Sequence, residues 1–241
     1  MYNIKITLEY EGSRYKGFCS TRSDNTISRH LSTALERITD KEIDVIPAVK
    51  TEPGVHAKEQ TVNFFLPHVD NLDDFKKELN ALLPQDIAVR SMQIANERFD
   101  AGRNLKDCTY LYRIDKGGDL SVFKRNYTHY HPDSLSIEEM KKAASHLMGN
   151  HDFSKLSSAG KKKKTMKTIS DISIIEKENE YQIYLTADRF LKGIPLALVN
   201  ILVNAGEGNL PANEVPFVLL GEKVSDFHCF SKGLYLFKTT Y

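Results

Sequence analysis

The sequence predicts an α+β protein made of two ferredoxin-like halves. Residues 1–100 read in the order β-α-β-β-α-β, and the remainder of the 241-residue chain repeats that logic with different residues. Composition agrees, since 41% hydrophobic and 27% charged residues can supply one large core or two smaller ones. The halves are expected to meet near residues 100–106, giving an N-terminal half over 1–103 and a C-terminal half over 104–241. Such a fold hosts many unrelated functions and identifies none of them.

The first half opens with Tyr2, Ile4, Ile6, Leu8 and Tyr10 at period two, broken by Glu11-Gly12-Ser13, as a half-buried strand ending in a turn should be. Ile27, Leu31, Ala34, Leu35 and Ile38 follow at helical spacing behind Thr26, whose hydroxyl suits a helix cap. Residues 43–49 and 61–66 read as extended. Leu72, Phe75, Leu79 and Leu82 make a second amphipathic helix that stops at Pro84, and 87–94 is a further strand. In the second half, 109–114 is a strand, and Ser136-Ile137-Glu138-Glu139 is a capping box opening a helix through Ile137, Met140, Ala144 and Leu147. Residues 169–175 and 181–185 flank Glu178-Asn179-Glu180 as a hairpin. A mostly apolar helix is expected over 190–205, delayed or kinked by Pro195, and a closing strand over 233–241.

No run approaches the roughly 20 apolar residues of a membrane span, and the first residues alternate instead of forming a signal peptide's apolar block, so a cytoplasmic protein is expected. Cys19, Cys108 and Cys229 lack CxxC spacing, which suits reduced thiols and offers no zinc site. Net charge is only +1, yet it is uneven: residues 1–100 hold 13 Lys+Arg against 16 Asp+Glu, and residues 101–241 hold 20 against 16. Residues 155–167 contain six lysines and no acid, and a local patch governs phosphate binding more than the total does.

Lys50-Thr51-Glu52-Pro53-Gly54-Val55-His56-Ala57 resembles the catalytic loop of TruA-type tRNA pseudouridine synthases, whose pattern is Gly-Arg-Thr-Asp-x-Gly-Val-His-Ala. The stretch from Tyr10-Glu11-Gly12 to Gly17-Phe18 is similar to that family's opening block, and Leu79-Asn80-Ala81-Leu82-Leu83-Pro84 to its next. Arg98-Phe99-Asp100-Ala101 with Tyr110-Leu111-Tyr112-Arg113-Ile114 resembles the segment that supplies its active-site tyrosine. Gly149-Asn150-His151-Asp152-Phe153, Phe190-Leu191 and Gly233-Leu234-Tyr235-Leu236 continue the series in order. The resemblance implies two ferredoxin-like halves joined through a continuous antiparallel sheet, a homodimer with tRNA lying across both subunits, and no metal or organic cofactor. It also implies the family reaction, uridine to pseudouridine in the anticodon arm at positions 38–40.

That reaction breaks the C1′–N1 bond, turns the uracil and rejoins it through C5, so the base must first leave its stack. A carboxylate acts at the sugar, a basic side chain orients it, an aromatic ring stacks on the uracil and a cationic surface holds phosphates. The resemblance places Glu52 where the family's aspartate stands, Leu196 at its arginine and Tyr110 at its tyrosine. A carboxylate displaced by ~1 Å can cost on the order of a hundredfold in rate. Leucine cannot supply the bidentate partner. Lys50 keeps a charge but loses the guanidinium fork, while Pro53-Gly54 suits a type II turn, so the loop itself should persist. Lys192 or Arg189 is an alternative partner for Glu52.

Cys19-Ser20-Thr21, Ser28 and Phe230 also depart from the family's pattern. Tyr110, His56, His151 and Asp152 match it, each with a plain alternative: core filling for Tyr110, a structural hydrogen bond instead of RNA contact for His56, helix closure for 149–153. Lys161, Lys162, Lys163 and Lys164 fall where the family has a loop near bound tRNA, against the alternative of a solvated hairpin loop. Tyr127 and Tyr130, with His129 and His131, are candidates for stacking or for simple packing. Three functions remain open: a tRNA-binding relative with weakened or lost catalysis, an active synthase using Glu52, and a dimeric interaction protein without RNA binding.

Overall fold

The computed structural model describes residues 1–117, 121–157, 164–223 and 230–241. The chain forms two compact units, residues 1–106 with 235–241, and residues 107–234. The crossing thus falls after Lys106, and the last seven residues group with the first unit, whereas the sequence reading kept them in the second half.

The first unit contains β1 (Tyr2–Tyr10), α1 (Ile27–Thr39), β2 (Ile46–Pro47), β3 (His56–Leu66), α2 (Leu72–Leu82), β4 (Ile87–Ile94) and, from its second residue on, β10 (Leu234–Thr240). Its sheet runs β4-β1-β3-β10, with β2 also on β3. The period-two pattern of β1 sends Ile4, Ile6 and Leu8 to one face, where all three are fully buried with Val62, Phe64 and Leu66 of β3. Thr26 caps α1 by accepting from the Arg29 N–H, and Asn71 caps α2 by accepting from Asp73 and Asp74. Only Leu79 of the expected α2 stripe is buried, because α2 lies against β4, the outermost strand.

The opposite face is polar and internally satisfied. The Asn63 amide donates to Asn3 Oδ1 at 2.9 Å, and its own oxygen accepts from the Ala101 N–H at 2.8 Å. Asn3 in turn donates to the carbonyls of Asn96 and Phe99. Residues 96–101 are thereby fastened across the sheet, and Asn3 and Asn63 are buried at no penalty.

The second unit contains β5 (Asp107–Asp115), β6 (His129–Tyr130), α3 (Ile137–Leu147), β7 (Gly149–Asp152), β8 (Met166–Glu176), β9 (Glu180–Ala187), α4 (Ile194–Gly206) and α5 (Val215–Leu220). Its sheet runs β5-β9-β8-β7, with β6 also on β5. Most pairings in both units are antiparallel, but β3–β10 and β5–β6 are short parallel ladders, so each sheet is mixed and not antiparallel throughout. Ser136 accepts from the Glu139 N–H, but its own N–H donates to the Gly206 carbonyl at 2.8 Å. Half of the expected capping box therefore forms, and Glu139 pairs with Lys142 instead. The late helix begins at Ile194 and not at 190: Gly193 has φ +86°, and Pro195 occupies the first turn, where its missing N–H costs nothing. From there α4 is apolar nearly all round and buried.

His129 and His131 are core residues of this unit. His129 Nδ1 and the Tyr112 hydroxyl lie 2.9 Å apart, and that hydroxyl donates to the Phe230 carbonyl at 3.2 Å. Burial, helped by the nearby His131 and Lys232, lowers the His129 pKa to about 4. Cys108 is buried, which pushes its thiol up to about 12, and Cys19 is exposed. Cys229 lies outside the described residues. Among the described residues no helix is long and apolar enough to cross a membrane.

Two predictions arise here. Asn63→Ala should lower the unfolding free energy by about 1–3 kcal/mol in urea titration, because it strands the Ala101 N–H and one Asn3 acceptor in a buried site. His129 should also give stability a pH slope. Below its unfolded value of 6.5 the unfolded chain takes up a proton that the folded chain refuses until about pH 4. Stability from this group therefore falls as pH drops through that window, and His129→Gln should flatten the change in urea midpoint between pH 6.5 and 4.5.

Candidate active site

The loop that carries Glu52 is shaped by residues of β1, the turn after it and β3. Val55 N–H donates to the Glu52 carbonyl at 3.2 Å and Gly54 has φ +79°, so residues 52–55 form the type II turn that Pro53-Gly54 favours. Two glycines let neighbouring backbone approach it. A Cβ on Gly12 would stand 2.0 Å from the Val55 carbonyl oxygen, and one on Gly17 would stand 2.6 Å from that of Thr51. Gly17 also has φ +89°. Phe18 N–H donates to the Thr51 carbonyl at 3.0 Å, and Gly54 N–H to the Tyr15 carbonyl at 3.3 Å.

Side chains hold the same loop from beneath. The β1–β3 register shifts between Leu8 and Tyr10, where residues 8–10 oppose 57–60, a bulge of the kind that re-aims a side chain near a site. Tyr10 is buried and shares a 2.7 Å hydrogen bond with the Thr51 hydroxyl. Burial drives the Tyr10 pKa upward, so this phenol stays neutral. Gln60 makes two hydrogen bonds to the Val49 backbone and fixes the other end of the loop. Thr51 is buried, Glu52 is half-buried and Lys50 is exposed.

His56 is the first residue of β3, not part of the loop, and is 1% exposed. Its Nδ1 accepts from the Gly12 N–H at 3.0 Å, and its ring stacks on Tyr235 of β10 at 4.6 Å. These contacts make the structural hydrogen bond that the sequence offers as one of two roles for His56, the other being RNA contact. Tyr10, Gly12, Gly17 and Gln60 are positioning residues that the sequence reading missed. The glycines were visible as part of the opening block, whereas Gln60 carries no local signal.

The other candidates belong to the second unit. Tyr110 on β5 is buried and meets Phe190 edge to face, with centroids 5.3 Å apart. Leu196 lies half-buried in the first turn of α4, while Arg189 and Lys192 are exposed just before that helix. Gly149, at φ +100°, opens β7 with His151 and Asp152. His151 Nε2 bonds the Met148 carbonyl at 2.8 Å, and hydrogen bonds from Thr165 and the Ser154 backbone hold the Asp152 carboxyl below its ordinary range. This block therefore closes α3. Lys164 is exposed, and Lys161, Lys162 and Lys163 lie outside the described residues.

A family model described as tRNA pseudouridine synthase matches residues 143–241. The protein is 34% identical to tRNA pseudouridine synthase A 2 of Bacillus cereus, over 98% of each chain. The chain belongs to the TruA-type tRNA pseudouridine synthase family. It is also 32% identical to tRNA pseudouridine synthase A of Limosilactobacillus reuteri, over 100% of this chain and 97% of the relative. It shares 34% identity with tRNA pseudouridine synthase A 2 of Clostridium perfringens, over 86% of each. In the first unit the loop that carries Glu52 has the backbone support described above.

The glycine contacts give a paired test. Gly17 and Gly208 both have positive φ, but a Cβ on Gly208 meets nothing within 4 Å. Gly208→Ala should therefore cost only the conformational term of about 1–2 kcal/mol. Gly17→Ala should cost clearly more in the same urea titration and should raise proteolytic cleavage around residues 50–55.

Proposed function

We propose that this protein binds the anticodon arm of tRNA as a cytoplasmic two-fold dimer and forms pseudouridine weakly or not at all. The observation that carries the reading is a split within one loop: its backbone is braced by Gly12, Gly17, Tyr10 and Gln60, while its reactive position holds Glu52. A glutamate in that turn carries its carboxylate about one carbon–carbon bond further from the backbone than an aspartate would, and such a displacement can cost on the order of a hundredfold in rate. Leu196 offers no hydrogen bond to orient a carboxylate. Pro195 shapes the turn that presents it.

The groups needed for binding are kept. Tyr110 retains a ring braced by Phe190 for stacking on an extruded uracil. Lys50 and the run from Lys161 to Lys164 supply cations for phosphates, which makes affinity steeply salt-dependent. A second reading, an active synthase that uses Glu52 as its carboxylate, is favoured by the same intact turn. The two are separated by chemistry on bound RNA.

Incubated with an anticodon-arm RNA and mapped for pseudouridine, the purified protein should give a rate at least about a hundredfold below that of a relative with aspartate and arginine. Glu52→Asp alone should remain poor, because carboxylate and partner act as a unit. Glu52→Asp with Leu196→Arg should gain measurable activity. Efficient turnover by the unmodified protein, abolished by Glu52→Gln, would establish the second reading. A gel shift showing no tRNA binding would leave a dimeric interaction protein.

A further inference from the structure

Between β5 and α3 the chain makes a turn that neither the core nor the candidate active site uses. Residues 122–127 are exposed without interruption, and they include Phe123 at 88%, Val122 at 61% and Tyr127 at 43%. The turn is nevertheless firmly built. Lys124 N–H donates to the Ser121 carbonyl at 3.2 Å, and the Lys124 carbonyl accepts from the N–H groups of Tyr127 at 2.8 Å and Thr128 at 3.0 Å. The Thr128 hydroxyl donates to the same carbonyl at 3.2 Å. The Lys124 ammonium pairs at 3.1 Å with Asp115, whose side chain is 3% exposed, and Thr128 and His129 are buried as the chain enters β6. A phenyl ring is thus presented to water on an ordered backbone, which lowers the backbone part of the ordering cost of binding.

Charge indicates which partner fits this ring. Residues 121–132 carry Lys124 and Arg125 and no acidic residue, and Arg125 is exposed two positions from Phe123. An exposed aromatic ring beside an exposed arginine suits single-stranded nucleic acid, where bases stack on rings and phosphates meet the charge. We propose that the 121–127 turn is a further RNA-contact surface of the second unit, with Phe123 stacking on an unpaired base and Arg125 meeting a neighbouring phosphate. This inference rests on the tRNA-binding reading above and names a second place of contact within it.

The test is fluorescence anisotropy of the full chain with an anticodon stem-loop RNA, run across salt concentrations and paired with sedimentation. Phe123→Ala should weaken binding by roughly five- to a hundredfold with its salt slope unchanged, as expected when a stacked base loses its ring. Phe123→Tyr should keep most of the affinity. Arg125→Ala should lower the salt slope by about one. Since the ring is 88% exposed, the urea midpoint of Phe123→Ala should match that of the unmodified protein. Unchanged affinity in Phe123→Ala overturns the proposal. So does a loss of affinity that accompanies conversion of a dimer to a monomer, which assigns the ring to a second copy of the chain. If the unmodified protein fails to bind the stem-loop at all, the reading under Proposed function falls first and this inference with it.

Discussion

The candidate site depends on one constraint, the approach of two backbone segments closer than any side chain allows. Where Gly12 meets the Val55 carbonyl and Gly17 meets the Thr51 carbonyl, there is no room for even a methyl group. That contact decides the rest of the local architecture. It lets Phe18 and Gly54 donate hydrogen bonds across the gap, brings the Gly12 N–H onto His56 Nδ1, and leaves the turn at residues 52–55 little choice of conformation. Tyr10 and Gln60 then hold what the glycines allow. The geometry of Glu52 is thus set mainly by groups that take no part in chemistry.

Much of the fold was legible in the sequence because the governing signals are local. Alternation marked β1, helical spacing behind Thr26 marked α1, and Pro84 marked the end of α2. The misjudged features depend on distant partners. Glu139 did not complete its capping box because the Gly206 carbonyl had already taken the Ser136 N–H. The parallel pairing of β10 with β3 involves residues far apart in sequence, and no spacing rule anticipates it.

The site divides in the same way. The turn at Pro53-Gly54 was readable from residue types alone, because ring and missing side chain act on their own dihedral angles. For His56 the residue types left two roles open, because its contacts are made to Tyr235 and Gly12, both remote in sequence. Enclosure turns a residue that looks like a ligand contact into a brace. His129 and His131 show the same effect in the second unit, where both are buried and the Tyr112 hydroxyl bonds His129.

The return of residues 235–241 to the first unit has a consequence for how the molecule is made. Tyr235 backs His56, Thr239 shares a 2.8 Å hydrogen bond with Thr61, and the Tyr241 hydroxyl donates to the Ala101 carbonyl. All three supports leave the ribosome only after the whole of residues 107–234 has been translated. At about 5–20 residues per second, the first unit waits on the order of ten seconds with the His56–Ala57 end of β3 still without its β10 partner. Its exposed edge during that interval is a place where a nascent chain is open to wrong pairing and to chaperones.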